Sequence, residues 1–351
     1  MTKMSDLSVD MVGEILSRVQ LTSLSAVRCN CKSWNALSKH QIFGKETYQF
    51  LGFTVMDSKV CSLRFNLQGI RNEDDDGSGH HQKIGRSKFV KIVVPTSIKQ
   101  ISELNQVDVS NEVFHCDDLL LCITKDRWWL MVWNPYLGEI RWIRLRQQFR
   151  ACDNFTMGYD NNNRNHKIMR FFTEDIERQS LEIYDFNSNL WRVVEFTPIC
   201  DLESGLSLKG NAYFFAQDTI EIEEEEKFEN YLLCFDFTAE RFGPHLPLPF
   251  HSYDDEIGAV TLSCVRQEQL SLLYHNCETV ESLDFWITNQ VDPNAVSWSK
   301  FLKVHTGFPR NFVLRSFFID EEKKVVVVSD EYSYVTKKTD VYQKVYIIGE
   351  D

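Results

Sequence analysis

Four aromatic residues recur along this chain at one fixed interval: Trp133, Tyr184, Phe235 and Trp286 are separated by 51, 51 and 51 residues. Each follows a short apolar run and precedes a turn and a second run, in VWNPYLGEIRWIRL, IYDFNSNLWRVVEF, CFDFTAERFGPHLPL and FWITNQVDPNAVSWSKFL. Self-similarity at such a period implies one supersecondary unit built several times, each copy burying the face of its neighbour.

The unit reads as two hairpins. Asn134-Pro135 with Gly138, and Asn187-Ser188-Asn189, supply turn chemistry between β-favouring runs. A further hairpin precedes each one, as in FTMGYDNNNRNHKIMRFF, TLSCVRQEQLSLLYH and FVLRSFFIDEEKKVVVVS, where a polar connection breaks two apolar runs. Four strands in about 40 to 50 residues is the size of a β-propeller blade. Counting hairpins places blades near 50–95, 113–145, 155–196, 206–249, 259–304 and 312–350, about six in all. The first is interrupted by 71–88, and SIKQISELNQVD after it reads as a short helix or an irregular segment. Residues 340–351 either fray or pair with the strand near 50–56.

Ahead of this all-β body, the first 46 residues follow a different period. In LSVDMVGEILSRV, Met11, Val12, Ile15, Leu16 and Val19 gather into one apolar helical stripe, with Ser8 placed as N-cap and Asp10 in the first turn. Leu24, Val27, Cys31, Trp34 and Leu37 keep helical spacing through SLSAVRCNCKSWNAL. Helices this short bury too little alone and must pack on each other, on the body or on a partner.

This segment resembles an F-box, the motif by which substrate receptors join cullin-RING ubiquitin ligases through a Skp-family adaptor. The likeness runs through Leu7, Glu14, Ile15, Leu16, Arg18, Val19, Leu24, Val27, Arg28, Cys31, Lys32, Trp34 and Leu37. The motif usually has proline where this chain has Ser8 and Gln20. The body, through VWNPYLGEIRWI, is similar to plant F-box-associated domains of kelch-like architecture. The resemblance implies residues 1–46 as an F-box and 47–351 as a target-binding propeller. It also implies adaptor binding by Leu7, Met11, Val12, Ile15, Leu16, Val19, Leu24, Val27, Cys31 and Trp34 in a helix-in-groove manner. The target-binding residues stay unassigned, on one end face formed by turns.

Composition narrows the function classes. A net charge of −13 disfavours phosphate backbones and anionic membranes, which call for a basic surface. No early segment has a basic start followed by an apolar run, and nothing approaches the ~20 apolar residues of a membrane span, so the expected location is cytosol or nucleus. Ten cysteines scattered through 351 residues are expected to be reduced and mostly buried.

The acidic runs at 73–77 and 221–229 are expected as solvated loops. Asp74–Asp76 with His80 and His81 fit no metal-ligand spacing, so no metal or other cofactor is expected. There is no HExxH, GxSxG, P-loop or Rossmann glycine pattern. His115 and His275 read as hydrogen-bonded structural residues. Trp133, Trp142, Trp191, Trp286 and Trp298 read as blade core, Tyr136 as a ligand-facing aromatic, and one of Trp128 and Trp129 as exposed. The function expected is a substrate receptor of a ubiquitin ligase that does no bond chemistry itself. The alternative is a β-propeller small-ligand binder or enzyme with a non-functional F-box.

Overall fold

A computed structural model of the chain describes residue 11 and residues 49–66, 81–83, 88–93, 97–135, 137–150, 153–175, 178–194, 201–202, 205–222, 225–250, 259–276, 282–305, 314–330 and 345–350. Of the N-terminal helical segment, Met11 is described, in a helix. The rest of the described chain is β-strands and their connections, with one 3-10 turn among the described residues. In order come β1 (Gln49–Met56), β2 (Lys59–Asn66), β3 (His81–Lys83), β4 (Lys88–Val93), β5 (Ser97–Gln100), β6 (Val109–Cys116), β7 (Leu119–Thr124), β8 (Trp129–Asn134) and β9 (Glu139–Arg144). There follow β10 (Asn154–Tyr159), β11 (His166–Asp175), β12 (Arg178–Asp185), β13 (Leu190–Val194), β14 (Asp201–Leu202), β15 (Leu206–Leu208), β16 (Asn211–Ile222), β17 (Glu225–Asp236) and β18 (Arg241–Phe242). The last are β19 (Val260–Val265), β20 (Gln269–Asn276), β21 (Ser282–Asp292), β22 (Ala295–His305), β23 (Leu314–Asp320), β24 (Val325–Asp330) and β25 (Val345–Glu350).

All the pairings are antiparallel, and the strands form five sheets of four or five strands and one of three. The larger sheets run β6-β7-β8-β9, β10-β11-β12-β13, β14-β16-β17-β18 with β15 also on β16, β19-β20-β21-β22, and β23-β24-β25-β4-β3. The smaller is β1-β2-β5. The aromatics spaced at 51 residues fall on β8, β12, β17 and β21, the third strand of four successive sheets along these orders.

The same interval governs the turns behind them. Asn134, Asp185 and Asp236 each follow the marker aromatic, and each side chain accepts backbone N–H bonds from the turn. Four residues on, Gly138, Asn189 and Glu240 take positive φ of 68°, 59° and 54°. Such Asx turns tighten the reversal and set the register Trp133↔Ile140, Tyr184↔Trp191 and Phe235↔Phe242. The fourth hairpin departs from the pattern: β21 and β22 run on past Trp286, with register shifts, to a turn at Asp292–Ala295.

The chain divides into two compact units. In the unit of Met1–Ile70 and Pro95–Phe149, the small sheet and β6–β9 share a core of Val60, Ile101, Leu104, Val109, Leu120, Cys122, Met131 and Trp133. Phe53 meets the Trp133 ring edge-on at 5.8 Å. Lys59 fastens the β1–β2 hairpin to the following loop, donating to Asn105 O at 2.7 Å and pairing with Asp108 at 2.8 Å. The segment SIKQISELNQVD begins as β5 and continues as a 3-10 turn at Ser102–Leu104.

In the unit of Arg71–Val94 and Arg150–Asp351, four sheets stack face to face in chain order. Met169, Phe171, Leu181 and Ile183 pack on Ala212, Phe214, Leu233 and Phe235. Tyr213, Leu232 and Cys234 pack with Leu270, and Leu283, Phe285 and Val304 with Phe317, Val326 and Ile348. Gly158 permits one close approach: a Cβ there would stand 2.2 Å from Phe237 Cδ2 and 2.5 Å from Gly210 O. Lys167 crosses the same seam to donate to Phe237 O at 2.9 Å and Glu240 at 2.7 Å.

Three expectations are corrected. Among the described residues, 50–95 do not form one blade: β3 and β4 join the last sheet, leaving β1, β2 and β5 as a three-stranded sheet. Five sheets of blade size are thus seen among the described residues where about six blades were expected. The C-terminal β25 pairs neither loosely nor with residues 50–56, but lies between β24 and β4, with Val345 opposite Val93 and Glu350 opposite Lys88. The acidic run 221–229 is not a loop for most of its length, because β16 and β17 carry it as a long hairpin with Ile222 opposite Glu225.

Candidate functional site

Of the residues expected to meet an adaptor, Leu7, Val12, Ile15, Leu16, Val19, Leu24, Val27, Cys31 and Trp34 lie outside the described residues. Met11 is described and is 54% exposed, at the position where an apolar helical face would have to be open to reach a partner. Tyr136, Asp74–Asp76 and His80 also lie outside the described residues.

On the β body, the exposed large apolar side chains concentrate. Among the described residues these are, besides Met11, Trp128, Leu137, Ile140, Trp142, Leu190, Val193 and Phe228, and four of these seven belong to the β8–β9 hairpin or its flanks. The expectation of a buried Trp142 is thereby overturned: it is 47% exposed, because β9 is the outermost strand of its sheet. Trp133 on the neighbouring β8 is fully buried, whereas Trp191, Trp286 and Trp298 are half-buried. Of the adjacent tryptophans, Trp128 is exposed and Trp129 half-buried, with Arg144 lying 5.9 Å from the Trp129 ring.

Period-2 geometry places Ile140, Trp142 and Arg144 on one face of β9, and Arg141 and the buried Ile143 on the other. Strand β9 pairs with β8 along one edge only, among the described residues. The segment 139–146 holds Arg141, Arg144 and Arg146 against one acid, Glu139, in a chain of net charge −13.

A second cluster is closed to solvent. Arg170 on β11 donates from Nε to Asp153 Oδ2 at 3.0 Å and again from Nη2, while Nη1 stands 3.7 Å from Glu182 Oε2. The guanidinium lies over Phe172 at 4.5 Å. The three side chains are 1%, 0% and 5% exposed, so no substrate reaches them and the cluster serves packing. The sequence reading missed it, although a signal was present: Arg170 interrupts the apolar run IMRFF at an inward-facing position.

The remaining titratable groups behave as framework. Burial pulls the His115 imidazole below its usual value, and Asp117 and Asp118 only partly restore it. His275 is buried on β20. Burial pushes the Cys122 and Cys234 thiols up to about 12, far from a thiolate at neutral pH. For Asp185, burial would raise the carboxyl, but bonds from the Ser188 amide, the Asn165 side chain and the Asn187 amide outweigh it and hold the group below the ordinary carboxylate range. Among the described residues, no three His, Cys, Asp or Glu side chains come together as a metal site, and no helix is long and apolar enough to cross a membrane.

Comparison with known proteins agrees with this layout. Residues 4–46 match the F-box domain, and residues 51–351 match the F-box associated beta propeller domain. The chain is 61% identical over 365 residues to F-box protein At1g59680 of Arabidopsis thaliana, covering 100% of this chain and 91% of that protein. It is 51% identical over 365 residues to F-box/kelch-repeat protein At3g13680 of the same plant, covering 100% of this chain and 87% of that one. F-box protein At3g49510, also from Arabidopsis thaliana, is 48% identical over 373 residues, covering 100% of this chain and 91% of that protein.

Proposed function

Since the chain belongs to the F-box proteins that carry an F-box associated β propeller domain, we propose that it is the substrate-recognition subunit of an SCF-type ubiquitin ligase. The observation that carries this reading is the order of the two matched regions: a docking motif at 4–46, directly followed by a propeller at 51–351. In this reading Leu7, Met11, Val12, Ile15, Leu16, Val19, Leu24, Val27, Cys31 and Trp34 set their apolar side chains into a groove of a Skp-family adaptor, which bridges to the cullin-RING ligase. The propeller holds the target protein.

The chain then performs no bond chemistry of its own and needs no cofactor. Holding a target beside a ubiquitin-charged enzyme makes transfer nearly intramolecular, which raises its rate through effective concentration. Such work places the protein in the cytosol or nucleus, where the ligase operates. The test is co-precipitation of cullin with the tagged full chain, with and without a Skp-family adaptor. Recovery of cullin only when the adaptor is present supports the bridge; adaptor-independent recovery, or none, overturns it.

A further inference from the structure

We propose that the exposed apolar face of the β8–β9 hairpin, made by Leu137, Ile140 and Trp142, is covered by this chain's own segment 40–48. Ile42 and Phe43 are the side chains that seat there, and they fasten the region ahead of β1 to the β6–β9 sheet.

The patch continues a packed face. The register pairs Met131 with Trp142 and Trp133 with Ile140, so the four side chains point to one side of the sheet. Met131 and Trp133 are fully buried there, in a core shared with Val60 and Phe53 of the small sheet. Cover stops one strand short: Ile140 and Trp142 on β9 are 37% and 47% exposed, with exposed Leu137 beside them. The small sheet itself supplies the reason. Level with Phe53 it carries Ser62 on β2 and Lys99 on β5, so at this height β1 alone brings an apolar residue. Clustered apolar exposure that continues a buried core marks a place where a further element packs.

The point at which the chain enters the small sheet names that element. Two contacts align the sheets: Phe53 meets the Trp133 ring, and Ser58 O, in the β1–β2 turn, accepts from Val109 N at 2.9 Å. Val109 opens β6 opposite Thr124, at the end of its sheet away from the β8–β9 turn. Going from Ser58 through Phe53 to Gln49 therefore leads past Trp133 toward Leu137. Gln49 lies ~13 Å from Phe53 along β1, and Ile140 lies ~5 Å outward of Trp133. Phe43 precedes Gln49 by six residues, which span up to about 20 Å when extended, so Ile42 and Phe43 can reach the patch. Both residues lie outside the apolar stripes assigned to the adaptor. A segment tethered this closely is present at an effective concentration of order millimolar, which favours it over a free partner or a second copy.

The test is hydrogen–deuterium exchange of the full chain, read by mass spectrometry. No adaptor is present, so the outcome is independent of the receptor reading. Amide protection reports local opening, and the amides of 40–48 should exchange at least about tenfold faster in Trp142→Ser and in Ile140→Thr than in the parent. They should be unchanged in Leu190→Ser, which alters an exposed apolar residue on β13. Reciprocally, Phe43→Ser should speed exchange in 139–144, and the protection of 40–48 in the parent should not change on dilution. Exchange in 40–48 that is indifferent to Trp142→Ser and Ile140→Thr in chains with parental circular dichroism overturns the proposal. Protection that fades on dilution, as cover by a second copy would, overturns it equally.

Discussion

Replacing Arg170 by methionine tests how far the second unit depends on one buried cation. The substitution keeps an unbranched stem of similar reach against Phe172 but removes the charge. Asp153 and Glu182, 0% and 5% exposed, then remain as two carboxylates in a dry interior. Removing one partner of a buried ionic cluster typically costs about 3–5 kcal/mol, since the survivors keep their desolvation penalty without compensation. For a unit of this size, that corresponds to a fall of roughly 6–20 °C in unfolding temperature. Thermal unfolding followed by circular dichroism measures it. A loss below about 1 kcal/mol refutes the claim that the guanidinium neutralises this interior.

The other expectations concern the turns, the seams and the thiols. Asp185→Ala removes the acceptor for Asn187, Ser188 and Asn165 and should cost about 1–3 kcal/mol by thermal unfolding. Because the Asp185 carboxyl is held below its ordinary value, its contribution is present above the unfolded-state value and is lost as pH falls from there through the folded one; the variant and parent should therefore converge in acid. Gly158→Ala forces a methyl into Phe237 and the Gly210 carbonyl and should cost at least about 1–3 kcal/mol, seen as a lowered unfolding temperature or loss of soluble protein. Cys122 and Cys234 should resist a maleimide at pH 7 in the native chain and react on unfolding in urea, as mass spectrometry would show.

What the sequence makes legible is whatever repeats locally. The interval from Trp133 to Trp286 identifies the third strands because each aromatic is fixed by its own hairpin, within a few residues. Pairings between remote segments leave no such trace. The strand KFVKIV at 88–93 has the same local character as any first-blade strand, yet its partner is β25, some 250 residues on. Likewise Trp142 is indistinguishable from a core aromatic until strand order shows β9 outermost. The acidic run 221–229 is paired backbone over most of its length because the apolar ends of β16 and β17, Ala212 to Ala216 against Tyr231 to Phe235, fix a register that zips outward through the charges. For the residues proposed to dock, the helical periods of Met11, Val12, Ile15, Leu16 and Val19 and of Leu24, Val27, Cys31 and Trp34 specify apolar stripes, while the proposed partner comes from the family resemblance.

The central claim, that residues 1–46 dock on a Skp-family adaptor, is tested most directly by titrating purified adaptor into the full chain and into its Ile15→Asp/Leu16→Asp variant by calorimetry. The account predicts a saturable one-to-one complex with the parent, and none with the variant, while the circular dichroism of the β body stays the same. Equal binding by both, or no binding by a folded parent, contradicts it.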